Sequence, residues 1–211
     1  MRKEIIDHYQ KTWKGFDEWF DDHPALYQSE LAALKKAVPS GTGLEIGVGT
    51  GRFAVPLAVR FGLDPAINML KLAKKRKIQV VQGFGENLPF KNESFHFIQI
   101  VFVMEFVDDP LHFLREAIRT LQKNGAIILG FIDKNSKWGQ YYIQNSSGIK
   151  FFHPPSPREI LEIFKSIGLE FQEAWQTLFQ PPPDIEHEEV PKREFGQGGF
   201  VVLKAIKKIR K

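Results

Sequence analysis

Residues Leu44 to Ala58 read Leu-Glu-Ile-Gly-Val-Gly-Thr-Gly-Arg-Phe-Ala-Val-Pro-Leu-Ala, and no other stretch constrains the fold as strongly. Apolar residues flank an acid, Glu45. Three glycines then alternate, Gly47, Gly49 and Gly51, before an amphipathic run. The pattern predicts a strand that ends in a glycine turn and opens a helix over about residues 50–57. Glycine tolerates positive φ and lets a ligand approach the main chain. A helix N-terminus behind such a turn offers unpaired N–H groups to an anionic group. The segment reads as a cradle for a nucleoside-bearing ligand.

Two common cradles do not match. The dinucleotide fingerprint needs a third glycine where this chain has Arg52. A P-loop needs Gly-Lys-Ser/Thr, which is absent. The order Glu-x-Gly-x-Gly-x-Gly instead resembles the first motif of class I S-adenosylmethionine-dependent methyltransferases. That resemblance implies that Gly47, Val48, Gly49 and Gly51 hold the methionine part of the cofactor, with Glu45 near its ammonium end.

Further matches follow in order. Phe61-Gly62-Leu63-Asp64-Pro65 closes a second apolar segment. Asp64 stands where an acid accepts hydrogen bonds from ribose hydroxyls in nucleotide-binding folds, and an N-cap role is compatible with this. Gly83 to Phe90 and Ser94-Phe95-His96 resemble the family's Gly-Asp-Ala-Glu-x-Leu-Pro-Phe and Ser-Phe-Asp. Phe84 replaces the adenine-contacting Asp, and His96 replaces the later Asp. Adenine recognition then rests on Phe84 packing and on the main chain near Gly85 and Glu86. Pro65, Met69 and Phe102 complete the implied cofactor set. Met104 to Pro110 and Asn124 to Leu129 match the family's end of strand four and its start of strand five. The resemblance is dense over residues 40–133 and loose elsewhere. It implies an α/β, Rossmann-like three-layer sandwich. The sheet is mostly parallel and seven-stranded, its last strand is antiparallel, and an N-terminal helical lid covers it.

The remaining sequence fits that frame. Strands are expected near 43–47, 59–63, 78–82, 95–103 and 125–132, and helices near 65–75 and 110–121. Residues 4–37 read as two helices interrupted at Pro24. Residues 134–155 show no strong periodicity, Ser156 caps a helix to Ile167, and two strands close the chain. One domain, 1–211, divides into a helical cap (1–38), a cofactor-binding half (40–133) and a substrate-side part (134–211).

Composition narrows the chemistry. The chain has 211 residues, 43% hydrophobic and 26% charged, and no cysteine. Thiolate nucleophiles and Cys-ligated zinc are therefore excluded, and with them pyrimidine methylation through a cysteine adduct. Histidine spacing offers no metal site. There is no long apolar run or signal peptide, so a cytoplasmic protein without a membrane span is expected. The formal charge of +4 is concentrated in a basic terminus from Lys204 to Lys211, which reads as a solvated strand end.

Methyl transfer from a sulfonium needs alignment and a dry site. The acceptor should sit above the carboxyl ends of the strands. Trp13, Phe16, Trp19, Tyr27, Tyr141, Tyr142, Phe151 and Phe152 lie in segments able to roof that edge. Aromatics at helical spacing, Phe20 included, equally suit a core. Glu105, at the tip of strand four, and His153 are the candidate catalytic residues. Val103-Met104-Glu105-Phe106 replaces the Asp/Asn-Pro-Pro-aromatic motif of amino-methylating nucleic-acid enzymes. The expected acceptor is an O or N atom of a small molecule, with nucleic acid disfavoured and the chain a monomer or homodimer. An RNA or protein methyltransferase and a non-catalytic cofactor-binding scaffold are the rival readings.

Overall fold

The computed structural model describes residues 2–145 and 152–208 of the chain. Helices α1 (Lys3–Asp22) and α2 (Pro24–Ala37) come first. Pro24 divides them because proline suits a first helical turn and not a helix interior. Then follow β1 (Gly43–Ile46), β2 (Phe61–Asp64), α3 (Ile67–Lys75), β3 (Gln79–Gln82) and β4 (Phe95–Val101). A 3₁₀ turn (Met104–Phe106), α4 (Pro110–Thr120), β5 (Leu121–Ile132) and α5 (Lys137–Asn145) come next. The chain closes with α6 (Pro157–Ser166), β6 (Leu169–Thr177), β7 (Lys192–Arg193) and β8 (Phe200–Lys207).

The strands form one sheet in the order β3-β2-β1-β4-β5-β8-β6-β7. Strands β1 to β5 pair in parallel, and β8 runs antiparallel between β5 and β6. The sheet has eight described strands and not seven, because Lys192–Arg193 pairs briefly with Trp175 and Gln176 at the edge. Central strands are apolar on both faces, as a helix-covered sheet requires. Phe97, Val101 and Ile128 pack towards α2 and α3, whereas Ile98, Ile100 and Leu129 pack towards α4 and α6.

Three expectations change. The helix foreseen over 50–57 is a run of turns. Pro56 has no N–H to give the Arg52 carbonyl, which instead accepts from the Tyr27 hydroxyl. Strand β5 begins at Leu121 and not near 125, directly after α4. The aperiodic insertion contains α5, whose Trp138 is fully buried with its indole N–H on the Gln180 carbonyl.

Charged contacts fix α1 against this frame. Arg52 donates to both Asp17 (2.9 Å) and Asp21 (2.6 Å), and Arg76 donates to Asp17 (2.6 Å) and to the Thr50 carbonyl (2.8 Å). Burial opposes ionisation of Asp17, yet the bonds from Arg76 and Arg52 hold its carboxyl well below the usual carboxylate range. Arg52 thus has a structural reason to replace the fingerprint glycine: it clamps the glycine turn to α1. Replacing Asp17 with alanine should loosen the helix and cost about 1–3 kcal/mol of stability. Amide exchange across residues 3–22 should accelerate; exchange rates unchanged from the parent would show that the clamp is idle.

Candidate active site at the carboxyl ends of β1 and β4

The sheet order reverses between β1 and β4, and a crevice opens beyond their carboxyl ends. The glycine turn forms its floor. The Gly47 and Val48 N–H groups donate to the Leu63 carbonyl at 2.7 and 3.0 Å. Gly49 N–H donates to one Asp64 carboxylate oxygen at 2.9 Å, and Ala66 N–H donates to the other at 2.8 Å. Asp64 therefore ties the glycine turn to the start of α3. It does not occupy the N-cap position of α3, which belongs to Ala66.

The three glycines differ in role. All have positive φ, at 77°, 52° and 87° for Gly47, Gly49 and Gly51. A Cβ on Gly47 would lie 2.2 Å from Val103 Cγ2, and one on Gly51 would lie 2.4 Å from Ile78 Cδ1. At Gly49 it would meet only Phe16 Cε1, at 3.7 Å. Gly47 and Gly51 permit close packing, and Gly49 keeps the cradle open.

Above the turn lies a cavity of about 740 Å³. Glu45, Val48, Asp64, Pro65, Met69 and Phe102 line it with Gly47 and Gly49. Glu45 is buried and its Oε2 has no partner. Burial pushes its carboxyl up to about 8, and burial likewise raises Asp64 to about 6. Glu45, the open main chain at Gly49 and Asp64 at the tip of β2 thus border one cavity. A smaller recess of about 230 Å³ adjoins through Gly47, Pro65 and Val103, and Phe84, Gly85 and Glu86 line it. Phe84 is about half exposed there (48%), so its ring offers a face without a filled core behind it.

A second cavity, about 1030 Å³, shares the walls Tyr9, Phe16, Phe20, Phe102 and Phe106 with the first. Phe102 has φ +54°, an unusual conformation for a bulky residue, and its N–H bonds to the Gly130 carbonyl. This bend at the end of β4 swings the 3₁₀ turn over the sheet. Glu105 is thereby buried, with one oxygen accepting from Ile132 N–H at 3.2 Å and Oε2 unpartnered. Burial raises its carboxyl to about 7.

Several expected residues fall elsewhere. Phe16, Trp19, Tyr142 and Phe152 line the second cavity. Trp13 does not; one helical turn away from Tyr9, it faces α3 beside Asn68 and Leu72. Tyr27 lines neither cavity because its hydroxyl is used on Arg52 and its ring packs on Phe20 and Phe53. Tyr141 lines neither and stands edge-on to Tyr142. His153 is exposed and lines neither; its main-chain N–H binds the Glu105 carbonyl, so the residue shapes the site through its backbone. Phe151 lies outside the described residues. Lining residues that the sequence did not single out include Tyr9, Phe106 and Glu30. Glu30 sits four residues from both Leu26 and Leu34, in the apolar stripe of α2, which is a readable sign of a buried acid.

Comparison with known proteins agrees with this geometry. Residues 44–129 match a family model described as a methyltransferase domain. An uncharacterized protein of Methanocaldococcus jannaschii is 41% identical over 202 residues, 94% of this chain and 98% of that one. A crystal structure from Thermotoga maritima, described as a SAM-dependent methyltransferase, "possible histamine N-methyltransferase", superposes with TM-score 0.89. It is 40% identical, over 95% of this chain and 98% of that one. A demethylmenaquinone methyltransferase of Staphylococcus saprophyticus is 28% identical over 96% of this chain and 90% of its own length. The chain belongs to the S-adenosylmethionine-dependent methyltransferases of class I and is an enzyme that uses that cofactor.

Two outcomes test the cradle. Gly49→Ala should remain folded, at a cost of about 1 kcal/mol for the left-handed backbone, and bind cofactor at least roughly tenfold more weakly; Gly51→Ala should lose stability outright. Calorimetry finding equal cofactor affinity for Gly49→Ala and the parent would contradict the assignment. The second outcome concerns pH. Glu45 holds its proton more tightly folded than unfolded, so stability falls as pH rises from about 4.5 towards about 8. Glu45→Gln should flatten that decline in melting temperature; an unchanged slope would show that Glu45 does not carry it.

Proposed function

We propose that the chain transfers the cofactor's methyl group to an O or N atom of a small-molecule acceptor held in the second cavity. One observation carries this reading: the aromatic cavity meets the cofactor cavity across a shared wall of Tyr9, Phe16, Phe20, Phe102 and Phe106. A concave, largely apolar site with a few polar groups suits a small ligand.

In this reading Glu45, Gly47, Val48 and Gly49 hold the methionine part of the cofactor, with Gly51 behind the cavity wall packing the turn on Ile78, and Asp64, Pro65 and Met69 hold the ribose. Phe84, Gly85 and Glu86 take the adenine, and Phe102 divides cofactor from acceptor. The cofactor supplies an electrophilic methyl carbon on a sulfonium. The protein excludes water with its ring-lined walls and orients the acceptor with Glu105. Phe16, Trp19 and Phe152 contact the acceptor. The chain works as one domain, with residues 1–38 as cap, 40–133 as cofactor half and 134–211 as substrate side. It acts in the cytoplasm as a monomer or homodimer. No described helix is long and apolar enough to cross a membrane. The description of the Thermotoga protein supports a nitrogen acceptor, and that of the Staphylococcus protein a quinone-like one.

Glu105→Gln should reduce turnover of the true acceptor while cofactor affinity stays within about twofold, since Glu105 faces the second cavity and not the first. A nucleic-acid enzyme would show binding that falls steeply with salt, with a slope of roughly −0.7 to −0.9 per phosphate contact. Labelled methyl groups entering bulk RNA, and lost on deletion of residues 207–211, would replace this reading with the RNA one.

A further inference from the structure

The second cavity contains an unusual pairing of groups. Glu30 of α2 and Glu105 of the 3₁₀ turn both line it. They are 2% and 1% exposed, and the Oε2 atom of each has no hydrogen-bond partner. Burial raises Glu30 well above its ordinary value, and the Glu105 charge raises it further. Buried acids without partners are costly and uncommon.

No lysine or arginine is among the residues that line the cavity, and its one basic side chain is His8. The other titratable groups facing it are the phenols Tyr9 of α1 and Tyr142 of α5. Tyr9 senses Glu105 and Asp64, and Tyr142 senses Glu30, Tyr141 and Asp184, so the surroundings add negative and not positive charge. The walls are ring faces: Phe16, Trp19, Phe102, Phe106 and Phe152. Such faces attract cations through their quadrupole and stack on flat ligands. Among the described residues no group of three or more His, Cys, Asp or Glu is placed to hold a metal ion. An organic cation is the class of ligand that two such carboxyls among ring faces suit.

We propose that Glu30 and Glu105 form an anionic clamp that binds the acceptor as an ammonium, so that the substrates of this enzyme are arylalkyl amines; one carboxylate then takes the ammonium proton, and the freed nitrogen lone pair bonds to the methyl carbon as its bond to sulfur breaks. The ring of the amine lies among the aromatic walls, and its ammonium takes the two unpartnered carboxylate oxygens. Glu30 is then a specificity-determining residue supplied by the helical cap and not by the cofactor-binding half. The inference rests on the small-molecule reading above and adds the charge class of the substrate to it.

The test uses the full chain loaded with S-adenosylhomocysteine and two probes of matched shape, 2-phenylethylamine and the neutral 2-phenylethanol. Calorimetry should show the amine binding at least tenfold more tightly than the alcohol. Glu30→Gln and Glu105→Gln should each remove most of that preference while S-adenosylhomocysteine affinity is retained. Both variants should stay folded, since glutamine keeps the shape of the side chain and an acceptor oxygen such as the one that takes Ile132 N–H, and melting temperatures check this. Equal binding of the two probes, or binding of neither, overturns the clamp. Preference retained in Glu30→Gln removes Glu30 from it. Equal binding with intact methylation of a neutral small molecule would sink the amine class alone, whereas methyl transfer confined to RNA or protein would sink the small-molecule reading with it.

Discussion

The hydrogen bond from Gly49 N–H to the Asp64 carboxylate is the contact on which the site depends. It joins the turn after β1 to the end of β2, and the same side chain holds Ala66 at the start of α3. Three elements thereby share one anchor. The turn can then present open main chain at Gly49 while Gly47 and Gly51 pack tightly on Val103 and Ile78. Arg52, carried just beyond the turn, reaches Asp17 and Asp21 and sets α1 over the crevice. A loose turn would therefore misplace the floor of the cofactor cavity and its roof together.

The aromatic residues of α1 perform two tasks at once. Phe20 is buried and packs on Tyr27 and Phe53, yet it also lines both cavities. Phe16 stands edge-on to Tyr9 and to Phe20, and Tyr9 stands edge-on to Phe106. The core and acceptor readings of these rings were posed as alternatives, but the geometry makes them one. Rings that support each other at T-shaped contacts leave their remaining faces towards the cavities, so packing preorganises the wall.

What was legible in the sequence was local. Glu45 to Gly51 and Asp64 stand at the ends of β1 and β2, and the alternation of strands and helices follows from short-range patterns. Pro56, inside the amphipathic run, removes the N–H that a helix over 50–57 would need. The residues that sequence reasoning misplaced are those fixed by long-range partners. Tyr27 is committed to Arg52, twenty-five positions away, and His153 meets Glu105 through its main chain alone. Trp13, one turn along the same side of α1 from Tyr9, lies with Asn68 and Leu72 of α3 and not in the second cavity, because where the cavity ends along α1 depends on tertiary packing that periodicity does not carry.

Glu30 shows how a chemical role hides inside a structural pattern. Its position four residues from Leu26 and from Leu34 calls for an apolar side chain, and α2 buries Leu26, Leu31, Ala33 and Leu34 around it. An acid at that point weakens the cap's packing against the sheet. Glu105 repeats the conflict at the end of β4, among Val103, Met104 and Phe106. Sites where local rules are broken without local compensation are where function is expected to reside. Both departures face one cavity, from the cap on one side and the sheet edge on the other, which would be an improbable coincidence if each were only a packing defect. The cofactor half carries the motifs of its family, and the proposed clamp lies where the cap closes on the sheet.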